Sequence, residues 1–204
     1  MWRLAVFVAS AWLCATAGAR AEAPASVSGR VSVGVAGLEL ADAGPIVVYL
    51  EAVAAPAPRP APEVEIRQHL ARFEPAFTVA PVGAPVRMPN EDTIFHNVFS
   101  YSKPNDFDLG MYGAGEARTV RFSQPGPVRI YCSIHERMNG LIFVTPSSLY
   151  ATPAQGGAYR IAGVPPGRYR LRVWSERLPV WTRELELSVG EGASIDVRLL
   201  ALGG

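Results

Sequence analysis

The feature that most constrains this chain is its punctuation: 18 prolines and 19 glycines spread through 204 residues leave little room for long helices. Proline removes a backbone donor and glycine costs backbone entropy, so both interrupt regular elements. Between them lie short apolar or alternating runs at roughly 8 to 12 residue intervals, the spacing of all-β sandwiches. The clearest is Arg168-Tyr169-Arg170-Leu171-Arg172-Val173, where period-two alternation puts the arginines on one face and the apolar side chains on the other. Residues 182–189 repeat the pattern, with Glu184 and Glu186 opposite Leu185, Leu187 and Val189. If the two strands pair, arginine and glutamate rows interleave on a solvated sheet face, each pair contributing tenths of a kcal/mol to about one.

Residues 27–35 and 46–53 read as two earlier strands joined through the segment Gly37 to Gly44. Composition then shifts to a Pro/Ala tract, Ala54-Ala55-Pro56-Ala57-Pro58-Arg59-Pro60-Ala61-Pro62, which reads as a semi-rigid extended linker and marks a boundary. Residues 64–73 carry Val64, Ile66, Leu70 and Phe73 among charged neighbours and fit either one short helix or a strand. His69 in this segment reads as a surface or packing residue. Residues 77–79 and 85–88 flank a turn at Val82-Gly83, and Asn90-Glu91-Asp92 loops toward His96. The polar, glycine-rich stretch 102–115 is expected to be a loop packed over one side of a sandwich. Trp174 and Trp181 are expected in core or edge packing, with a ligand-binding role as the alternative.

At the N-terminus Arg3 precedes an apolar run to Ala17 and then Ala17-Gly18-Ala19-Arg20-Ala21, the pattern of a secretory signal peptide over residues 1–21. The run is shorter than the roughly 20 apolar residues a spanning helix needs, so no membrane span is expected after cleavage. Trp12 and Leu13 before Cys14 argue against lipidation there. Without the signal, Cys132 is the one cysteine left, which excludes an internal disulfide and suggests a reactive thiol or a ligand. Removing Arg3 and Arg20 leaves a nearly neutral chain with Lys103 as its sole lysine, and no cluster of cations tracks a phosphate backbone. Nucleic acid is not an expected partner.

Two strand-like runs, 128–131 and 141–144, enclose Tyr131-Cys132-Ser133-Ile134-His135-Glu136-Arg137-Met138. Taken singly, a histidine among apolar residues is a core group and a lone cysteine a small hydrophobe. The spacing argues otherwise, because Cys132, His135 and Met138 recur at intervals of three on one tight loop. With His96 from Phe95-His96-Asn97-Val98 they supply two imidazoles, a thiolate and a thioether. A His₂Cys set with a long axial Met is a copper electron-transfer geometry, since soft sulfur holds Cu(I) while imidazole also suits Cu(II). Asn97 is placed to hydrogen-bond across to the cysteine loop and tie the two ligand-bearing segments together.

Residues 77–144 resemble a cupredoxin. The resemblance is carried by Met88-Pro89-Asn90, His96-Asn97-Val98, a glycine turn at Gly126, Tyr131 before the cysteine, and the Gly140-Leu141-Ile142-Phe143-Val144 exit. The C-x2-H-x2-M loop is similar to that of amicyanins rather than the longer loops of plastocyanins and azurins. It departs in having Ile134 and Glu136 where amicyanin-like loops carry prolines, so partner recognition does not carry over. The whole chain is similar to bacterial proteins called methylamine utilization or plastocyanin-like proteins, which join a cupredoxin to a carboxypeptidase-regulatory-like β domain. Gly163-Val164-Pro165-Pro166-Gly167-Arg168-Tyr169 looks like the turn and strand of that module, and Gly29-Arg30-Val31 with Ile46-Val47-Val48-Tyr49-Leu50 like its opening.

The resemblance implies an all-β chain. A cupredoxin Greek-key β-sandwich over residues 63–145 would be inserted in a small carboxypeptidase-regulatory-like (transthyretin-like) β-sandwich formed by residues 26–55 and 146–204, with residues 56–62 as the linker. It implies His96, Cys132, His135 and Met138 as ligands of one type 1 copper. The function expected is that of a periplasmic carrier of single electrons between redox protein partners, not an enzyme, with His135 as the electron port. Two other readings are copper trafficking or storage, and a structural or carbohydrate-binding β module carrying a non-essential cupredoxin. Three histidines are too few for a trinuclear copper cluster, and the sequence suggests no third residue to orient Cys132 with His135 as a hydrolase pair.

Overall fold

A computed structural model describes residues 24–53 and 61–201. The expected signal peptide, Cys14 and all of the Pro/Ala tract except Ala61 and Pro62 lie outside the described residues. Apart from one 3-10 turn at Leu40–Ala43, the regular structure is β. It begins with β1 (Ala25–Val33) and β2 (Ile46–Ala52). A middle group follows: β3 (Val64–Glu65), β4 (Arg67–His69), β5 (Arg72–Glu74), β6 (Phe77–Pro81), β7 (Pro85–Pro89), β8 (His96–Ser100), β9 (Phe107–Tyr112), β10 (Ala117–Arg121), β11 (Gly126–Tyr131) and β12 (Asn139–Thr145). The last group is β13 (Tyr150–Ala151), β14 (Ala158–Val164), β15 (Gly167–Ser175), β16 (Trp181–Leu187), β17 (Gly192–Ser194) and β18 (Val197–Leu199).

The first two strands complete the sheets of the last group. β1 lies between β14 and β17 and also pairs β18, while β2 lies between β13 and β15, with β16 at the edge. One core fills this outer sandwich, and it takes Val27, Val31, Val48 and Leu50 from the first strands and Ile161, Leu171, Val173 and Leu199 from the last. The expected charge ladder is present, with Arg168 opposite Glu186 and Arg170 opposite Glu184. Arg170 and Glu184 approach to 3.5 Å with both side chains exposed, which makes a weak pair.

The middle strands form a second sandwich that carries the site. Its main sheet has the order β6-β12-β11-β8-β9, and β10-β7-β3 faces it across a core of Met88, Val98, Phe122, Val128, Ile130 and Ile142. A third cluster joins the two sandwiches: Val47, Tyr49, Val79 and Phe143, with Trp174 packed against them. This contact explains two runs that do not alternate. In β2, Ile46, Val48 and Leu50 enter the outer core while Val47 and Tyr49 enter the joint. In β12, Ile142 and Val144 enter the site core while Phe143 enters the joint. A strand covered on both faces reads as a continuous apolar run.

Three expectations need correction. Residues 64–73 are not one helix or one strand but β3 and a β4–β5 hairpin, because Leu70 and Ala71 take left-handed φ values of 52° and 53° and turn the chain back. Such a pair of positive φ values makes the two-residue turn that matches strand twist. The stretch 102–115 is not all loop, since Phe107–Tyr112 forms the edge strand β9 beside the His96 strand. Its alternation is masked in the sequence by Asp108 and Gly110, while Tyr112 is buried in the core and Phe107 and Leu109 pack against it. Gly126 does not sit in a turn but opens β11 opposite Val144.

Because β1 and β2 are internal to their sheets, a chain starting at residue 61 is expected to leave the amides of β14, β15 and β16 unprotected in hydrogen exchange. In that chain β8 keeps slow exchange, while β11 and β12 lose part of their protection with the loss of the Phe143–Trp174 and Arg129–Glu176 contacts. Native protection of β14 to β16 there would contradict the shared outer core.

Candidate metal centre

The site forms where β8 begins and β11 ends. Pairing of β11 with β12 up to Tyr131 and Asn139 leaves residues 132–138 as a closed loop. Two backbone bonds hold the loop, from Cys132 N–H to Met138 O at 3.1 Å and from Met138 N–H to His135 O at 2.8 Å. This brings Cys132 Sγ to 3.6 Å from His135 Nδ1 and 3.7 Å from His96 Nδ1. The imidazole centroids are 4.7 Å apart. His96 is fully buried and Cys132 only 5% exposed, whereas His135 keeps part of its surface in solvent. Met138 is also buried, in the same core cluster as Cys132. His69, on β4, is not part of this group.

These separations fit one metal ion. With a thiolate about 2.3 Å and imidazole nitrogens about 2.0 Å from a first-row ion, trigonal to tetrahedral angles place sulfur and nitrogen ~3.5–3.7 Å apart. The three donors lie within 4.8 Å of one another, and among the described residues no other group of three His, Cys, Asp or Glu side chains converges in this way. Two imidazoles and a cysteine sulfur, with Met138 buried in the same core cluster, are a donor set that suits copper.

The sequence reading missed the group behind His96. Asp92 Oδ2 lies 2.8 Å from His96 Nε2, so the proton on Nε2 is directed at a carboxylate and the Nδ1 lone pair is free to face Cys132. Asp92 is itself held by three contacts, because its carboxylate accepts the N–H groups of Leu70 at 2.7 Å and Ala71 at 2.9 Å, and its own N–H donates to Asn90 Oδ1 at 3.0 Å. Those two amides belong to the left-handed turn of the β4–β5 hairpin. Burial alone would raise the Asp92 carboxyl, but hydrogen bonds from Ala71, His96 and Leu70 outweigh it and hold it below the usual aspartate range. Its stabilising contribution is therefore complete above the ordinary aspartate pKa and is lost as pH falls through the lowered value. The signal available in the sequence was a carboxylate four residues before a candidate ligand histidine.

Asn97 makes the cross-loop bond expected of it, accepting Ser133 N–H at 3.2 Å and donating to Asp108 at 2.7 Å. Around this end of the sandwich Leu70, Ile94, Phe95, Met111 and Ile134 are all exposed apolar side chains. Each lies on a segment that touches the site: the Asp92-bound turn, the two residues before His96, the β9 partner of Asn97, and the ligand loop itself.

No protein-family profile matches the chain, and no curated protein matches it. Among solved structures, it is similar over 41% of its length to the whole of a purple cupredoxin from Nitrosopumilus maritimus, at 23% identity and a TM-score of 0.37. An amicyanin variant in its reduced state aligns with 41% of this chain and 82% of its own, at 21% identity and a TM-score of 0.38. A copper-containing nitrite reductase from Thermus scotoductus SA-01 aligns with 53% of this chain and 27% of its own, at 31% identity and a TM-score of 0.39. Among the described residues no helix is long and apolar enough to cross a membrane.

Replacing the group behind a ligand histidine weakens metal binding by about 10- to 100-fold in comparable sites. Asp92→Asn is expected to lower Cu(I) affinity within that range in a competition titration. Unchanged affinity would show that Asp92 has no hold on the ligand.

Proposed function

We propose that this chain is a periplasmic cupredoxin-type electron carrier with one type 1 copper held by His96, Cys132 and His135 and tuned by Met138. The observation that carries the reading is the Cys132 sulfur set 3.6 and 3.7 Å from two imidazole nitrogens. When bound, copper supplies a one-electron Cu(I)/Cu(II) couple. The chain's own contribution is to hold the donors still. His96 is fixed by Asp92, Cys132 by the β11 ladder and its bond to Met138 O, and His135 by its carbonyl's bond from Met138. A rigid donor set favours neither oxidation state's relaxed geometry strongly, which keeps electron exchange fast.

His135 reaches solvent and is the natural port to a redox protein partner, with the exposed apolar ring of Ile94, Phe95, Met111 and Ile134 as the docking face. Glu136 and Arg137 add a charged rim, so association is expected to weaken as salt rises. Trafficking is the poorer reading. Of the methionines beyond the signal, Met88 and Met138 are buried and Met111 alone is exposed, which leaves no row of thioethers to pass Cu(I) along. The outer sandwich we read as the carboxypeptidase-regulatory-like module, and we read the chain as a carrier without catalytic activity.

Absorption and EPR spectra of the full chain loaded with Cu(II) test this reading. An intense visible thiolate band and narrow copper hyperfine splitting are expected, both abolished in Cys132→Ser. A colourless complex would overturn it. If Met138 serves as a further donor to bound copper, Met138→Leu is expected to raise the reduction potential, since loss of a donor disfavours Cu(II) more than Cu(I); an unshifted potential would remove Met138 from the ligand set.

A further inference from the structure

Both legs of the ligand loop are gripped from outside by the outer sandwich. β11 leads into Cys132 and β12 leaves Met138, and the two pair from Gly126 and Val144 to Tyr131 and Asn139. Alternation along β12 sends Ile142 and Val144 toward the site core and turns Phe143 to the opposite face. There Trp174 of β15 stacks on Phe143, with ring centroids 4.3 Å apart and planes inclined by 27°. Tyr49 of β2 meets the same ring at 5.6 Å. On the neighbouring leg, Arg129 of β11 donates to Glu176, two residues beyond Trp174, at 2.7 Å. Arg129 lies opposite Leu141, so the two grips fall close together on paired strands.

The grip matters because the hairpin is thinly tied on its other side. Where β11 meets β8, the strand bearing His96, the ladder comprises the single pair Tyr131 and Phe99. Across that seam the remaining hydrogen bonds run to side chains, from Ser133 N–H to Asn97 at 3.2 Å and from Arg129 N–H to Ser102 Oγ at 3.0 Å. On the β6 side, by contrast, β12 is paired from Leu141 to Thr145. The distance between His96 and Cys132 therefore depends on how firmly the β11–β12 hairpin is held from behind. Arg129 is 55% exposed, so its ion pair is the lesser hold and the aromatic stack the greater.

We propose that the outer sandwich is a clamp on the metal-binding hairpin, with Trp174 as the principal positioning residue and Glu176 as its auxiliary. The proposal concerns the hairpin's rigidity and stands whether or not the bound metal is copper. It gives the outer sandwich a task at the site. A site of this kind is only as well defined as the packing that supports it.

Hydrogen exchange of the metal-free full chain, resolved over residues 129–141, tests the clamp. Trp174→Ala is expected to speed exchange there by about 3- to 10-fold, the change implied by losing one stacked aromatic contact. Trp174→Phe is expected to restore most of the protection, and Arg170→Gln, on the exposed face of the same strand, to change nothing in the hairpin. If Trp174→Ala opens the whole outer sandwich, Glu176→Gln is the deciding variant, with faster exchange at β11 expected. Acceleration confined to β2, β15 and β16, or native exchange at β11 in Glu176→Gln, would overturn the proposal. The spectra of the copper-loaded Trp174→Ala chain give a second readout, a broadened hyperfine pattern, which bears on the metal assignment separately.

Discussion

The ladder between β11 and β12 is the constraint on which the other features rest. At one end it closes the loop that carries Cys132, His135 and Met138. One face of the hairpin contributes Val128, Ile130, Ile142 and Val144 to the core of the site sandwich, and the other places Phe143 against Trp174 and Tyr49. Two hydrophobic clusters thus meet back to back on a single strand. Their burial is non-directional, but the β-strand period makes it specific: a one-residue slip would send Phe143 into the site core and Ile142 into the joint, and would displace the ligand loop by the same step.

His96 reaches this hairpin from a separate strand, and its orientation is an electrostatic matter more than a packing one. The carboxylate of Asp92 accepts a hydrogen bond from Nε2–H and turns Nδ1 toward Cys132. The same carboxylate satisfies two amides of a left-handed turn formed by Leu70 and Ala71, neither of which is glycine. Left-handed backbone costs roughly 1–2 kcal/mol per residue for ordinary side chains. Charge-assisted bonds from both amides offset that cost, so the short β4–β5 hairpin and the histidine are anchored by one group.

How much of this was legible depended on the range of the signal. Cys132, His135 and Met138 announce themselves by spacing within one loop, and Asn97 by adjacency to His96. The strand code of Arg168 to Val173 is equally local. Asp92 gave only the weak local signal of a carboxylate four residues before His96, and the turn at Leu70-Ala71 that fixes it is marked by no glycine. The β9 strand was hidden by Asp108 and Gly110, although Tyr112 in the core supplies a rule-abiding inward residue. Contact between the two sandwiches had a sequence signature in the non-alternating runs Ile46 to Leu50 and Leu141 to Val144. Each run indicates a strand covered on both faces, but not what covers it.

A chain built this way holds its candidate metal donors on the start of one strand and on one closed loop, shields the Cys132 sulfur from solvent and leaves one imidazole edge open. The most direct test of that account is X-ray absorption at the copper edge of the loaded full chain, recorded in both oxidation states. The account predicts one sulfur and two imidazole nitrogens in the inner shell, with little change in distances between Cu(I) and Cu(II). A shell of nitrogen and oxygen alone, or a coordination number that changes on reduction, would contradict it.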